Sequence, residues 1–200
     1  MLSCQKELFS LDEDVHYLNC AYMSALMKSV EQAGHQGIAG KKTPYNITPK
    51  DFFDSSDKLR VEFSKLINST EPERVALLPS VSYGMANIVN SLSPARGKKV
   101  VVAGEQFPSN YYPWQKWVSE INGELCVVAP PETLGNRGKA WNEIILESID
   151  HNTAVVAIAN VHWTDGTLFD LEAIRAICDV KGALLVIDGT QSVGALPFDI

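Results

Sequence analysis

Four short segments of this sequence place polar or aromatic side chains directly after an apolar run. They read PSVS at 79–82, GEQFPS at 104–109, NVHWT at 160–164 and DGTQ at 188–191. In the last of them Asp188 follows an apolar run typical of a buried strand, so its carboxylate is expected at the edge of a sheet. An unpaired charge there costs free energy. Asp188 therefore needs a cationic or hydrogen-bonding partner, although an aspartate before glycine is also common in ordinary turns.

The serines of the first segment stand where a helix is predicted to begin. The backbone N–H groups of Ser80, Val81 and Ser82, together with two hydroxyls and the positive end of the helix, are suited to binding a phosphate. An ordinary serine N-cap is the alternative interpretation. The segment lacks a GxGxxG pattern, which disfavours a dinucleotide-binding fold where its fingerprint is expected.

The two middle segments supply aromatic and polar groups. Phe107 can cover the face of a planar ligand, because stacked rings gain free energy beyond simple burial, or it can be a core residue. Ser109 is expected to cap the helix that follows. His162, Trp163 and Thr164 either line a pocket or pack within their loop. The histidines lack other ligands at suitable spacing, so no metal is expected.

The elements that must position these segments alternate regularly from residue 75 onward. Apolar runs rich in Val, Ile and Leu alternate with amphipathic helical patterns, which is typical of a parallel sheet covered on both faces. The fold class is therefore α/β, doubly wound, with three layers and a mostly parallel sheet, and such sheets bind ligands at the carboxyl ends of their strands. The predicted strands are VALLP (75–79), KVVVAG (99–104), LCVVAP (125–130), AVVAIAN (154–160) and LLVID (184–188).

Residues 1–47 lack this alternation and are predicted to form an N-terminal segment that precedes a domain over residues 48–200. Within the segment, a helical pattern is expected to end near Gly34 or Gly37, and the following residues are expected to form a loop.

The sequence predicts a helix at the start of the second region. Thr48 can cap it and Pro49 suits its first position. Its apolar residues recur at helical spacing, so we expect one face of the helix to pack on a core. These residues are Phe52, Leu59, Phe63 and Leu66.

The composition disfavours several classes of partner. With 24 acidic against 17 basic residues and a net charge of −7, the surface offers no general attraction for nucleic acid or anionic lipid. Neither a signal peptide nor a membrane-length apolar stretch is recognisable. The four cysteines lack metal-ligand spacing and favour a reducing, cytoplasmic setting. We therefore expect a globular protein without a nucleic-acid or membrane partner.

A phosphate-binding helix start, a flat aromatic ring, a polar loop and a buried carboxylate together describe a receptor for a phosphorylated aromatic heterocycle with a ring nitrogen. The sequence around them resembles the fold-type I pyridoxal-phosphate enzymes of aminotransferase class V, a group that includes cysteine desulfurases, kynureninases and isopenicillin N epimerase-like proteins. The similar segments are YLNCAYMSALMKSVEQA, INSTEPERVALLPSVSYGMANIVNSL, EQFPSNYYPW, NVHWTDGTLFDLEAI and LLVIDGTQSVGALPFDI. The last is the most specific, because an aspartate and a glutamine three residues apart follow a buried strand.

The resemblance implies that the chain binds pyridoxal 5'-phosphate. Val81 and Ser82, with Ser80 as a further candidate, would hold the phosphate of the cofactor. Phe107 would stack on the pyridine ring, where desulfurases typically use histidine.

Two residues after the last strand would act on the ring itself. Asp188 would pair with the ring nitrogen and keep it protonated, which makes the ring an electron sink. Gln191 would approach the ring hydroxyl or the internal aldimine. Asn19, Ala21 and Tyr22 would lie near the substrate.

The function implied by the resemblance is that of a transferase or lyase acting on a small amino-acid substrate through a Schiff base. Transamination, desulfuration, lyase chemistry in the Cα–Cβ region and epimerisation all begin in this way, and the residues do not distinguish them. Members of the family are usually homodimers. In this interpretation, residues 1–47 belong to the active-site or small-domain region, and residues 48–200 form the first part of the cofactor-binding large domain.

The family's Schiff-base lysine lies downstream of the aspartate and glutamine, and no lysine follows Lys181 here. We therefore expect that lysine beyond residue 200, in a longer chain that also carries the rest of the large domain and a small C-terminal domain. The alternatives are a catalytically inactive binding or assembly module with the same fold, and a nucleotide-binding Rossmann protein. The missing glycine fingerprint disfavours the Rossmann protein.

Overall fold

The computed structural model describes residues 3–20, 22–93, 98–133 and 135–200. The chain consists of two compact units, Met1–Leu59 and Arg60–Ile200. The assignment of residues 1–47 and 48–200 to different domains stays a prediction.

The second unit contains a four-stranded sheet in which every pairing is parallel. The strands are β1 (Lys99–Ala103), β2 (Glu124–Val128), β3 (Thr153–Ala159) and β4 (Leu184–Asp188). They lie in the order β2-β1-β3-β4, so β1 and β3 are central and β2 and β4 form the edges of the described sheet. Because all strands run in the same direction, their carboxyl ends meet at a single edge.

Helices cover both faces of this sheet. One face packs against α3 (Val81–Ser91) and α4 (Tyr112–Glu120) through a cluster that includes Val100 and Val102. The other packs against α5 (Arg137–Glu147) and α6 (Leu171–Lys181) through a cluster that includes Val101 and Val156. This three-layer α/β arrangement confirms the predicted fold class. The helices of the described residues are α1 (Lys28–Gly40), α2 (Asp54–Leu66), α3 (Val81–Ser91), α4 (Tyr112–Glu120), α5 (Arg137–Glu147) and α6 (Leu171–Lys181).

An ion pair anchors the amino end of the sheet. The largely buried Lys99 donates from Nζ to Asp150 Oδ2 at 2.6 Å and to the Ser148 carbonyl oxygen at 2.8 Å. The hydrogen bond from Lys99 is the main cause that lowers the pKa of Asp150. These contacts tie the start of β1 to the loop before β3, at the end of the sheet opposite the one predicted to bind a ligand.

The predicted strand at residues 75–79 does not form, and this prediction was wrong. The segment runs without regular structure from a 3-10 turn at Pro72–Arg74 to the start of α3, and Leu77 and Leu78 remain about half exposed. A side chain satisfies one of its carbonyl groups, since Arg60 Nε donates to Val75 O at 3.1 Å. A short apolar run does not identify its own hydrogen-bonding partner, and this one lies outside the sheet.

Helix α1 also differs from expectation, because it continues through Gly34 and Gly37 to Gly40. Neither glycine adopts a positive φ, and a Cβ added at either position would meet nothing within 4 Å. A glycine ends a helix reliably when it takes the left-handed conformation at the C-terminus. These two glycines do not, so the predicted helix end was wrong.

The helix predicted from Thr48 begins as a 3-10 helix, Pro49–Phe52, and becomes α2 only at Asp54. The predicted cap forms, because Thr48 and Asp51 make a capping box. We predicted that the apolar face of this helix packs on a core, and this prediction was wrong. The four apolar side chains that define the face stay exposed in the part of the chain that the structure describes. Helical spacing identifies an apolar face but not the surface that covers it. The exposed residues are Phe52, Leu59, Phe63 and Leu66.

Ser109 does not cap a helix. It lies inside a 3-10 turn, Pro108–Asn110, and α4 begins after Tyr111 without a side-chain cap. Where the structure describes the chain, it contains no helix with the length and apolar character needed to cross a membrane.

Candidate functional site

The carboxylate of Asp188 lies at the carboxyl end of β4 and is 9% exposed. Its Oδ1 accepts two hydrogen bonds from Thr190, one from the backbone N–H at 3.0 Å and one from the hydroxyl at 2.5 Å. Among the described residues, none donates a hydrogen bond to Oδ2. Half of this buried carboxylate is therefore held in place, and the other half is left able to accept a further donor.

Strand alternation decides which face of the sheet Asp188 occupies. Val186 packs in the cluster beneath α3 and α4, whereas Leu185 packs in the cluster beneath α5 and α6. Because side chains two residues apart in a strand share a face, Asp188 lies on the same face as α3 and α4.

Gln191 lies in the turn after β4, three residues beyond Asp188, and its side chain is partly exposed. The backbone N–H groups of Ser192 and Val193 donate to the Gly189 carbonyl oxygen at 3.0 and 2.9 Å. A Cβ at Gly189 would lie 2.7 Å from Val193 Cγ2, so a larger residue there would require the Val193 side chain to move. No hydrogen bond of the Gln191 side chain to another described residue is present.

Helix α3 begins at the residues predicted to bind a phosphate. The Ser80 hydroxyl is the N-cap and accepts a hydrogen bond from the Tyr83 N–H at 3.1 Å, while the Gly84 N–H donates to the Ser80 carbonyl oxygen. The N–H groups of Val81 and Ser82 have no partner inside a helix at these positions and find none elsewhere among the described residues. They stay available to an anion, and the Ser80 hydroxyl keeps its own proton to donate.

The position of α3 places this helix start toward the carboxyl edge of the sheet. Met85 and Val89 of α3 pack on the face of the sheet that carries Val100 and Val102. The helix also contacts the 3-10 turn Pro108–Asn110, which comes shortly after β1 ends. The sites predicted at Val81 and Asp188 therefore share a face and an edge of the sheet.

Phe107 follows β1 at the same edge and is 48% exposed. Its ring packs at right angles against the indole of Trp163, with the ring centroids 5.3 Å apart and an interplanar angle of 88°. Trp163 is exposed to the same extent. Phe107 is thus a half-open aromatic surface at the strand ends, rather than a core residue.

His162 is a packing residue of the loop after β3. It is 1% exposed, its Nε2–H donates to the Gly104 carbonyl oxygen at 3.1 Å, and its Nδ1 accepts from the Thr164 hydroxyl at 2.9 Å. The ring of Trp141 lies 4.9 Å from the imidazole. Both ring nitrogens are occupied within the protein, so His162 ties the ends of β1 and β3 together and offers no free ligand atom.

Asp165 reinforces the same loop. Partial burial opposes its ionisation, but hydrogen bonds from Thr167 and the positive charge of Arg137 hold the pKa of Asp165 below its usual value. Arg137 Nε donates to Asp165 Oδ2 at 3.0 Å and thereby fixes the loop to the start of α5. The described residues contain no group of three His, Cys, Asp or Glu side chains able to hold a metal ion.

Two residues at this edge lie in the segments singled out from the sequence but were assigned no role there. Asn160 is 8% exposed, its backbone N–H donates to the Asp188 carbonyl oxygen at 3.1 Å, and its side-chain amide has no hydrogen-bond partner among the described residues. Thr190 holds Asp188 as described above. Asp188 and Thr190 are two residues apart, a spacing that predicts an Asx turn and could have identified Thr190. The contact between Asn160 and Asp188 depends on the pairing of β3 with β4, which the sequence does not show.

The other predicted residues are placed as follows. Asn19 and Tyr22 are exposed in the first unit, and Ala21 lies outside the described residues. Their role near a substrate stays a prediction. Lys99 binds Asp150 and Ser148 at the amino end of β1, away from the strand ends that carry the candidate site.

These features define a three-layer α/β protein with a polar and aromatic site at the carboxyl edge of a parallel sheet. Residues 46–200 match the model of the aminotransferase class-V family. The chain belongs to this family, whose members include pyridoxal-phosphate-dependent aminotransferases and cysteine desulfurases. The expected family, fold and family cofactor are thereby confirmed.

Individual relatives are similar over most of this chain. An uncharacterised aminotransferase of Bacillus subtilis, YcbU, is 32% identical over 151 residues, which cover 76% of this chain and 38% of the relative. A cysteine desulfurase of Klebsiella pneumoniae is 24% identical over 147 residues, covering 72% of this chain and 35% of the relative. The chain thus spans less than half the length of these two relatives.

A solved structure has the same fold. A mutant of C-DES with glycine covalently linked to its PLP cofactor superposes with a TM-score of 0.83 at 19% identity, over 98% of this chain and 52% of C-DES.

Proposed function

We propose that this protein binds pyridoxal 5'-phosphate at the carboxyl edge of its sheet and uses it to transform an amino acid. The observation that carries the proposal is the buried carboxylate of Asp188, in which Thr190 holds Oδ1 and Oδ2 lacks a donor among the described residues. A protonated pyridine nitrogen supplies one N–H donor and one positive charge. That chemistry complements a largely buried carboxylate with one oxygen free to accept a hydrogen bond.

The start of α3 fits the phosphate of this cofactor. The unpartnered N–H groups of Val81 and Ser82 point out of the helix start, where the helix dipole favours an anion. The Ser80 hydroxyl and the Ser82 hydroxyl can add donors. The site needs no lysine to neutralise the phosphate, since hydrogen bonds from a helix N-terminus suffice in many phosphate sites.

Phe107 fits the ring of the cofactor. Its half-exposed side chain stands at the strand edge that also carries Asp188, so an aromatic ring paired with the carboxylate can stack on it. Gln191 and the unpartnered amide of Asn160 are the nearby groups able to bind polar substituents on the ring.

When bound, pyridoxal phosphate supplies an electron sink for bonds at the α-carbon of an amino acid. The contribution of Asp188 is to hold the ring nitrogen protonated, because a carboxylate in a site of low dielectric stabilises a neighbouring cation. The contribution of Thr190 is to keep that carboxylate in one orientation. Val81, Ser82 and Phe107 fix the position of the cofactor and do not take part in proton transfer.

The reaction and the assembly are proposals of the same kind. An amino-acid substrate is supported by relatives named as an aminotransferase and as cysteine desulfurases. Transamination and desulfurase- or lyase-type chemistry therefore remain the candidate reactions. We also propose a homodimer, by resemblance to the family, and a cytoplasmic location. The location is supported by the free thiols of Cys4, Cys20, Cys126 and Cys178.

The test is a titration of the cofactor-free, native-length protein with pyridoxal phosphate, followed by visible absorbance. Saturable binding with a spectrum distinct from that of the free cofactor is expected, and addition of the correct amino acid should change it. Keto acid without ammonia then indicates transamination, keto acid together with ammonia indicates elimination, and alanine with transferred sulfur but no ammonia indicates desulfuration. Absence of saturable binding would refute the proposal.

Reductive trapping with borohydride and peptide mass mapping test the catalytic part separately. Attachment of the cofactor to a lysine is expected for an enzyme. Cofactor binding without an attached lysine and without any amino-acid-dependent spectral change would instead establish a non-catalytic binding module.

A further inference from the structure

The segment that joins β1 to Phe107 is tied to the β3 side of the sheet at three consecutive residues. The Gly104 carbonyl oxygen accepts from His162 Nε2 at 3.1 Å, and the Glu105 carbonyl oxygen accepts from Trp163 Nε1 at 2.7 Å. Gln106, which is buried, donates from Nε2 to the carbonyl oxygen of Ala157 at 3.3 Å. These three hydrogen bonds at consecutive residues restrict the backbone conformation of the segment.

The backbone of the segment is itself unusual. Glu105 has a φ of 54°, in the left-handed region that a residue with a Cβ enters at an energetic cost. At Gly104 a Cβ would lie 3.1 Å from both Ala129 Cα and Pro130 Cδ, so the strand end passes close to its neighbour. Such a conformation persists only where surrounding contacts impose it, and the hydrogen bond from Trp163 to Glu105 O is one of those contacts.

Trp163 also contacts Phe107 directly. Beyond the hydrogen bond to Glu105 O, its indole packs at right angles against Phe107, with centroids 5.3 Å apart. One side chain thus contacts both the backbone that precedes Phe107 and the ring of Phe107. Trp163 is 48% exposed, so neither contact can be attributed to burial in the core.

We propose that Trp163 is a positioning residue that sets the orientation of the Phe107 ring for stacking on the cofactor. The inference rests on the proposed function, because it assigns Trp163 a role toward the pyridine ring. Trp163 acts through Phe107 and through Glu105 and transfers no proton.

The experiment uses the native-length protein with Trp163→Ala, which removes both contacts, and Trp163→Phe, which retains a ring but removes the donor to Glu105. The control is Tyr112→Ala. Tyr112 is 61% exposed, and its ring packs at right angles against Tyr111, with the ring centroids 5.4 Å apart. The control variant therefore loses a ring pair of the same geometry, away from β3. The two measurements are the dissociation constant of pyridoxal phosphate and the visible circular dichroism per bound cofactor, which reports the orientation of the cofactor ring.

For Trp163→Ala we expect cofactor binding to weaken by about 2- to 12-fold, the value of an aromatic pair, and most of the visible circular dichroism to be lost. Trp163→Phe should recover part of both, and Tyr112→Ala should match the wild type. Because Trp163 is half exposed, the thermal midpoints of the cofactor-free variants should stay close to that of the wild type. A fall in stability alone would leave the dichroism per bound cofactor unchanged.

Two outcomes overturn the inference, and they differ. If the wild type binds the cofactor and both Trp163 variants keep its affinity and dichroism, the positioning role is wrong and the proposed function stands. If the wild type binds no pyridoxal phosphate, the proposed function fails and the inference fails with it.

Discussion

Replacement of Asp188 by asparagine tests the electrostatic basis of the site. Asparagine has nearly the same shape and keeps an oxygen in the place of Oδ1, so both hydrogen bonds from Thr190 can persist. It replaces the unpartnered Oδ2 by an NH₂ group, which donates and cannot accept from a protonated ring nitrogen. A hydrogen bond to a charged group contributes about 1.5–3 kcal/mol, so cofactor affinity should fall by about 10- to 150-fold.

The same loss can be measured as stability. At a cofactor concentration about 100 times the wild-type dissociation constant, binding stabilises the native state by about 2.7 kcal/mol. With affinity reduced about 10- to 150-fold, the gain at that concentration falls to about 1.4 to 0.3 kcal/mol. Urea denaturation with and without pyridoxal phosphate measures both gains.

The control for this experiment is Asp199→Asn, which makes the same chemical change at an exposed position in the same terminal stretch. It should retain the full stabilisation by the cofactor. If Asp188→Asn also retains it, Oδ2 does not pair with a cationic ring and the argument from the half-satisfied carboxylate is wrong.

Three further substitutions test the supporting structure, each by urea denaturation of the cofactor-free protein. Thr190→Val should lower the free energy of unfolding by about 1.5–3 kcal/mol, because a buried carboxylate loses a hydroxyl donor, while Thr190→Ser stays near the wild type. Ser80→Ala should cost about 1 kcal/mol through loss of the N-cap of α3. Asp150→Asn should cost about 1–2 kcal/mol, between the values for exposed and buried ion pairs, since Lys99 is buried and Asp150 is not.

The Asp150 prediction has a definite pH dependence. The pKa of Asp150 is lowered in the folded protein, chiefly by the hydrogen bond from Lys99. Its contribution to stability is therefore present above the unfolded pKa of about 3.9 and is lost as the pH falls through the lower folded value. The difference in stability between wild type and Asp150→Asn should shrink below about pH 4, and a difference that grows there would contradict this assignment.

The central strands were predictable because each carries its own signal. Continuous runs of Val, Ile and Ala around Val101 and Val156 have no helical period, and the pairing of parallel strands buries such runs on both faces. Asp188 was recognisable for the same reason, since a charge directly after such a run is unusual. The segment at residues 75–79 carries the same apolar signal without a neighbouring strand, and only the folded chain distinguishes the two cases.

The parts of the site that could not be predicted depend on contacts between strands. The spacing between Glu105 and Trp163 in the sequence gives no indication that an indole N–H will meet a carbonyl oxygen at the end of β1. The burial of His162 likewise depends on Trp141, which belongs to α5. Local patterns show which residues can do chemistry, whereas the order of the strands decides which of them meet.

The backbone link between β3 and β4 gives the site an internal reporter. The amide N–H of Asn160 donates to the carbonyl oxygen of Asp188, the residue whose side chain is proposed to face the cofactor. Because β4 is an edge strand of the described sheet, its end opens locally at a lower free energy than the central strands do. Hydrogen–deuterium exchange at this single amide should therefore slow when a ligand occupies the site, while exchange in the middle of β1 follows global unfolding.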